Sequence, residues 1–131
     1  MIFTDKEYED FYKNKIAEYK KYGGALDCYS RPFFYLMGIC RDTRENFGSL
    51  FNIKEHCIIP ENFNSAWQTG NSYKICRLAF NLWNGYCYKW DNELNEKIVS
   101  SSFAVDKIFC CEYAEYFFEA IRLRYPCYCH K

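Results

Sequence analysis

The sequence predicts an all-α fold: a single-domain bundle of five to six helices with one long aromatic loop. Three observations lead there. Apolar side chains return at three- and four-residue steps in several segments, three of those segments are apolar nearly all round, and the one long stretch without periodicity is too rich in apolar residues for a disordered linker. At 131 residues the chain has room for a single core, so the domain spans 1–131.

Thr4 and Glu7 have the T-x-x-E spacing of a capping box, and Tyr8, Phe11, Tyr12, Lys15, Tyr19 and Tyr22 follow at helical steps until Gly23 and Gly24 stop the run. Ser30, with Pro32 just inside, starts a second helix whose stretch 33–40 is apolar on every side and therefore central. Asp42 or Thr43 caps a third helix through Phe51. From 52 to 70 the periodicity disappears, and Pro60, Asn62, Asn64 and Gly70 punctuate a long loop containing Trp67, Gln68 and Thr69. Asn71 or Ser72 opens the next helix, ended by Gly85; Ile75, Cys76, Leu78, Ala79, Phe80, Leu82 and Trp83 fall on a broad arc, and Tyr73, Lys74, Arg77, Asn81 and Asn84 on a narrow one. Residues 86–102 read as a polar excursion, either a hairpin-like turn or a short helix over 93–99. A last helix is expected from Val105 or Asp106 to Arg124, ended by Pro126, with Glu112, Glu115, Glu119 and Arg122 as its solvated stripe. The inner members are then 33–40, 75–83 and 108–123.

Composition narrows the function. With 17 basic and 17 acidic side chains, no basic excess exists to neutralise a run of phosphates, which argues against duplex DNA as partner. No stretch approaches the roughly 20 apolar residues of a spanning helix, and Met1 to Lys6 lacks the basic and apolar regions of a signal peptide; a cytoplasmic protein without membrane contact is expected. Aromatic side chains, 13 Tyr, 12 Phe and 3 Trp, outnumber Leu, Ile and Val, so rings must build the core. Half-exposed rings favour binding surfaces, and a homodimer is expected. The 9 cysteines lack scaffold spacing and read as reduced, small hydrophobes. Cys127, Cys129 and His130, completed by His56 with Cys57, could form a zinc site only through an unusual C-x-C pair, and no metal or cofactor is assigned.

Catalytic patterns are sparse. Phosphate-loop, dinucleotide-loop, H-E-x-x-H and G-x-S-x-G motifs are absent from the sequence. A nucleophile-histidine pair would have to use His56 or His130, so a small hydrolase or transferase built on His56 is the outlying alternative. No catalytic residue is assigned, and a non-enzymatic protein is favoured. The sharper signal is polar side chains set among apolar ones. Arg77, Asn81 and Asn84 occur at i, i+4 and i+7, hence on one helical face, directly after Trp67, Gln68 and Thr69. An arginine fork suits phosphate or carboxylate, carboxamides satisfy both donors and acceptors of a base, and an indole offers a stacking plane. Arg44 is a candidate second cation. These seven residues form the expected site for a small anionic or nucleotide-like ligand; the bland alternative is that they pair internally and tie down loops.

The segments Ala66-Trp67-Gln68-Thr69-Gly70, Arg77-Leu78-Ala79-Phe80-Asn81-Leu82-Trp83-Asn84-Gly85 and Ala120-Ile121-Arg122-Leu123-Arg124-Tyr125-Pro126 resemble a family of small uncharacterised proteins, a domain of unknown function, from low-GC Gram-positive bacteria and their phages. The resemblance spans most of the chain and implies no catalytic residues. By analogy it implies a counter-defence factor of phage or mobile-element origin, which binds rather than turns over: either a protein sequestering a nucleotide signal of host immunity, or an inhibitor that blocks a host defence nuclease or sensor.

Overall fold

The computed structural model describes residues 1–129. Its first helix, α1 (Lys6–Lys21), starts one residue later than the T-x-x-E spacing indicates: the N-cap is Asp5, whose carboxylate accepts from the Tyr8 amide at 2.9 Å. Helix α2 (Ser30–Met37) begins where Ser30 and Pro32 place it, with the Asp27 carboxylate accepting from the Ser30 amide at 2.8 Å. Every residue from Pro32 to Ile39 is buried, because α2 packs against α1, against α5 (Gly70–Asn84) and against α7 (Ala114–Arg124). Gly38, at its end, lies so close to Tyr8 and Phe11 that a Cβ would stand 2.8 Å from a Tyr8 ring carbon.

Rings do build the core. Phe33 packs edge-on to Phe34 at 5.9 Å and Trp83 at 5.6 Å, and stacks on Phe80 at 6.3 Å. Phe51 lies 4.9 Å from Phe33. Favourable edge-to-face pairs add about 0.5–1.5 kcal/mol beyond the area they bury, so this cluster compensates for the shortage of branched aliphatics.

The expected all-α class is overturned by two small antiparallel sheets, which make the fold mixed α/β. Strand β1 (Phe51–Asn52) pairs with β2 (Cys57–Ile58), and β3 (Tyr88–Asp91) with β4 (Glu96–Val99). One device closes both hairpins. At the end of the outgoing strand an Asx side chain accepts from the loop: Asn52 from the Glu55 amide at 3.1 Å, Asp91 from the Glu93 and Leu94 amides at 2.9 and 3.0 Å. Four residues after each Asx, a residue with positive φ, His56 at 58° or Asn95 at 52°, turns the chain back into the return strand. The hairpin alternative for 86–102 is therefore the observed one, while β1–β2 occupies the stretch expected to be loop.

Two expected helices are interrupted. The third becomes α3 (Arg41–Glu45) and α4 (Phe47–Leu50), broken at Asn46, whose side chain donates to the Asp42 carbonyl at 2.8 Å. The last becomes α6 (Val105–Ile108) and α7, separated by a turn over 109–113. Lys74 takes the Cys110 carbonyl at 3.0 Å, removing it from a continuous ladder. The turn also lets Phe109 fold back edge-on to Phe117 at 5.5 Å. Among the described residues no helix is long and apolar enough to cross a membrane.

Candidate functional site

Helix α5 carries both the anchoring groups and the unpaired cation of the candidate site. Its N-cap is Thr69, whose hydroxyl accepts from the Ser72 amide at 3.3 Å while Ser72 Oγ accepts from the Thr69 amide at 2.7 Å. Gln68 completes this corner: its carboxamide oxygen accepts from the Ser72 hydroxyl, and Nε2 donates to the Phe63 carbonyl at 3.0 Å and to Cys76 Sγ at 3.4 Å. Burial pushes the Cys76 thiol up from 9.0 to about 12, Gln68 acting in the opposite direction. The helix ends at Gly85, whose φ of 79° provides the left-handed cap. There Asn81 Nδ2 donates to the Tyr86 carbonyl at 3.2 Å, and Asn84 Oδ1 accepts from the Tyr86 amide at 3.1 Å.

Between these two anchored ends opens a cleft of about 760 Å³, within the range of small-molecule sites. Its walls include Phe63, Tyr86 and Phe103 from the segments around α5, and Tyr88, Trp90 and Lys97 from the hairpin. The pairing register sets Lys97 opposite Trp90 and Val99 opposite Tyr88, so Tyr88, Trp90 and Lys97 share one face. Lys97 Nζ lies 4.7 Å from the Tyr88 ring centroid. Tyr86 stands edge-on to Tyr88 at 5.4 Å and to Phe103 at 6.0 Å.

Arg77, half-buried, lines this cleft and rests over the Tyr73 ring at 5.3 Å. Among the described residues its guanidinium has no carboxylate within ion-pair distance and donates no hydrogen bond. Burial pushes it down from its ordinary range, with Tyr73 opposing, yet an arginine stays cationic at neutral pH. Partly desolvated charge without a counter-charge is the condition that an anionic ligand relieves. Lys97 adds a cation to the lining, Lys89 presenting its side chain on the other face of the hairpin, and Glu61 is the acidic residue there.

Of the seven residues expected from sequence, Arg77 lines the cleft. Gln68, Asn81 and Asn84 do not line it; they hold the backbone of Phe63 and Tyr86, two of its ring walls. Thr69 caps the helix, and Trp67 is half-buried against the core. Arg44 sits elsewhere, donating to the Gly38 carbonyl at 2.8 Å and facing Glu7 at 3.5 Å. The indole in the cleft is instead that of Trp90, 56 % exposed. Tyr88, Trp90 and Lys97 escaped the sequence reading, although the alternation Tyr88-Lys89-Trp90 before an Asx turn carries the signal of a two-sided strand.

His56 is held by its fold: its Nε2 lies 2.8 Å from the Tyr22 carbonyl and its ring 4.8 Å from that of Tyr19. Among the described residues no three His, Cys, Asp or Glu side chains gather as metal ligands, and His130 of the zinc alternative lies outside them. No curated protein and no solved structure matches the chain. One family does match, over residues 1–131, and the chain belongs to it: the family of unknown function DUF6075.

Proposed function

We propose that this chain is a non-enzymatic binding protein whose cleft takes a small, anionic, ring-bearing molecule of nucleotide type. The observation that carries the reading is the half-buried Arg77 guanidinium, which among the described residues has no carboxylate within ion-pair distance, in a ring-walled cleft. An anion on Arg77 and Lys97 gains charge-assisted hydrogen bonds, and the Tyr88 and Trp90 rings offer planes for a base. Calorimetric titration with nucleoside monophosphates and cyclic dinucleotides tests this: binding by at least one, weakened more than tenfold by Arg77→Gln, is expected. Absence of heat from every one of them, with the fold intact, contradicts it.

The biological setting we propose is sequestration of a nucleotide signal in the cytoplasm by a counter-defence protein of phage or mobile-element origin in low-GC Gram-positive bacteria. This rests on the resemblance described above. Expression in a host carrying a nucleotide-signalled defence tests it, with restored phage growth expected and unchanged restriction contradicting.

A second reading, a protein-binding inhibitor of a host defence nuclease or sensor, draws on Trp90, Leu94 and Val99, exposed by 56, 61 and 69 % on the hairpin. The same rings support a homodimer. Sedimentation showing 15.8 kDa alone contradicts the dimer, and a stoichiometric partner lost with Trp90→Ala, but not with Arg77→Gln, favours the inhibitor.

A further inference from the structure

The cleft holds opposite charges that do not meet. Glu61, on the 3-10 turn Pro60–Asn62, lines it together with Arg77 and Lys97, yet among the described residues the Glu61 carboxylate makes no ion pair and accepts no hydrogen bond. Unpaired charges of both signs on one ring-walled cleft describe a bipolar ligand, negative at one end and hydrogen-bond-donating at the other. Glu61 shares the cleft with Tyr86, the ring wall that Asn81 and Asn84 hold in place, and its charge adds to burial in raising the Tyr86 hydroxyl above its ordinary value.

An ionised carboxylate only accepts hydrogen bonds. Adenine offers its N6 amine beside the N1 acceptor, which opposes a carboxylate oxygen. Cytosine offers a similar mixed edge. Guanine presents N1–H and the N2 amine side by side, two donors at the spacing of the two carboxylate oxygens. We infer that the base taken by this cleft is guanine, with Glu61 accepting from N1–H and N2–H while Arg77 and Lys97 hold the phosphate. This assignment rests on the proposed nucleotide-binding reading and adds the identity of the base.

Calorimetry on the full chain with guanosine, inosine and adenosine 5′-monophosphates and ribose 5-phosphate separates the two claims. Guanosine monophosphate is expected to bind at least tenfold tighter than adenosine monophosphate, with inosine monophosphate, which keeps N1–H but lacks the N2 amine, between them. Glu61→Gln, which replaces an acceptor pair with one acceptor and one donor, is expected to bring the guanosine-to-adenosine ratio below threefold. Equal binding of guanosine and adenosine monophosphates overturns the base assignment and leaves the anion site standing, as does a ratio unchanged by Glu61→Gln. Failure of all four to bind overturns the base assignment, and the cleft reading falls with it when the cyclic dinucleotides fail as well. Circular dichroism of the variant, expected to match the parent because Glu61 is exposed, checks that folding is unaffected.

Discussion

The two ends of helix α5 and its middle present polar side chains under opposite conditions. At the ends, Gln68, Thr69, Ser72, Asn81 and Asn84 are satisfied by backbone and by one another. In the middle, Arg77 has, among the described residues, only the face of a tyrosine ring. The difference teaches that density of polar residues on a helical face locates architecture, whereas lack of a partner locates a site. The anchored residues still bear on the site, because the atoms they hold belong to Phe63 and Tyr86, which wall the cleft.

Four variants and one titration would break or sharpen that contrast. The largest effect is expected from alkali. Burial raises the Tyr8 and Tyr35 hydroxyls far above their ordinary 10.0 and the Cys76 thiol from 9.0 to about 12. The unfolded chain thus releases these protons first as pH rises, so stability is full below about pH 8 and falls steeply beyond about pH 10. Urea midpoints measured between pH 7 and 11 check the sign, and a midpoint that stays level to pH 11 would contradict the closed core. Next comes Phe80→Ala, which removes a fully buried ring touching both Phe33 and Tyr86; a loss of about 3–5 kcal/mol is expected in chemical unfolding.

Gln68→Ala leaves the Phe63 carbonyl without its donor and the Ser72 hydroxyl with the Thr69 carbonyl as its remaining backbone acceptor, and should cost about 1–3 kcal/mol. Thr69→Ala removes a helix cap and should cost about 1 kcal/mol. Smallest in stability is Arg77→Gln, expected within about 0.5 kcal/mol of the parent, because among the described residues its charge meets only the Tyr73 ring. If Arg77→Gln proved as damaging as Gln68→Ala, the contrast between anchoring and unpaired polar groups would be lost.

Helix α2 and the buried arc of α5 were legible from sequence because apolar periodicity and caps act locally: Ser30 starts α2, Gly85 ends α5, and Ile75, Cys76, Leu78, Ala79, Phe80 and Leu82 are all buried. The sheets were harder. Strands of two and four residues barely establish an alternation, and the devices that close them, Asn52 with His56 and Asp91 with Asn95, use no Asn-Gly or Asp-Gly pair. At the break over 109–113 Lys74, distant in sequence, takes the Cys110 carbonyl, a contact no local pattern announces. For the site, helical spacing did bring Arg77 and the two asparagines to one side, but spacing cannot say which group finds an internal partner. The Trp90 wall depended on recognising the hairpin first.

The central claim is that an anion on Arg77 draws a ring onto the Trp90 wall. Its most direct test is a proton–nitrogen correlation spectrum of the three tryptophan indole groups during titration with guanosine monophosphate. The Trp90 signal should shift with saturation while those of Trp67 and Trp83, packed against the core, stay in place, and Arg77→Gln should abolish the shift. A stationary Trp90 signal, or a shift of full size in Arg77→Gln, would contradict the account.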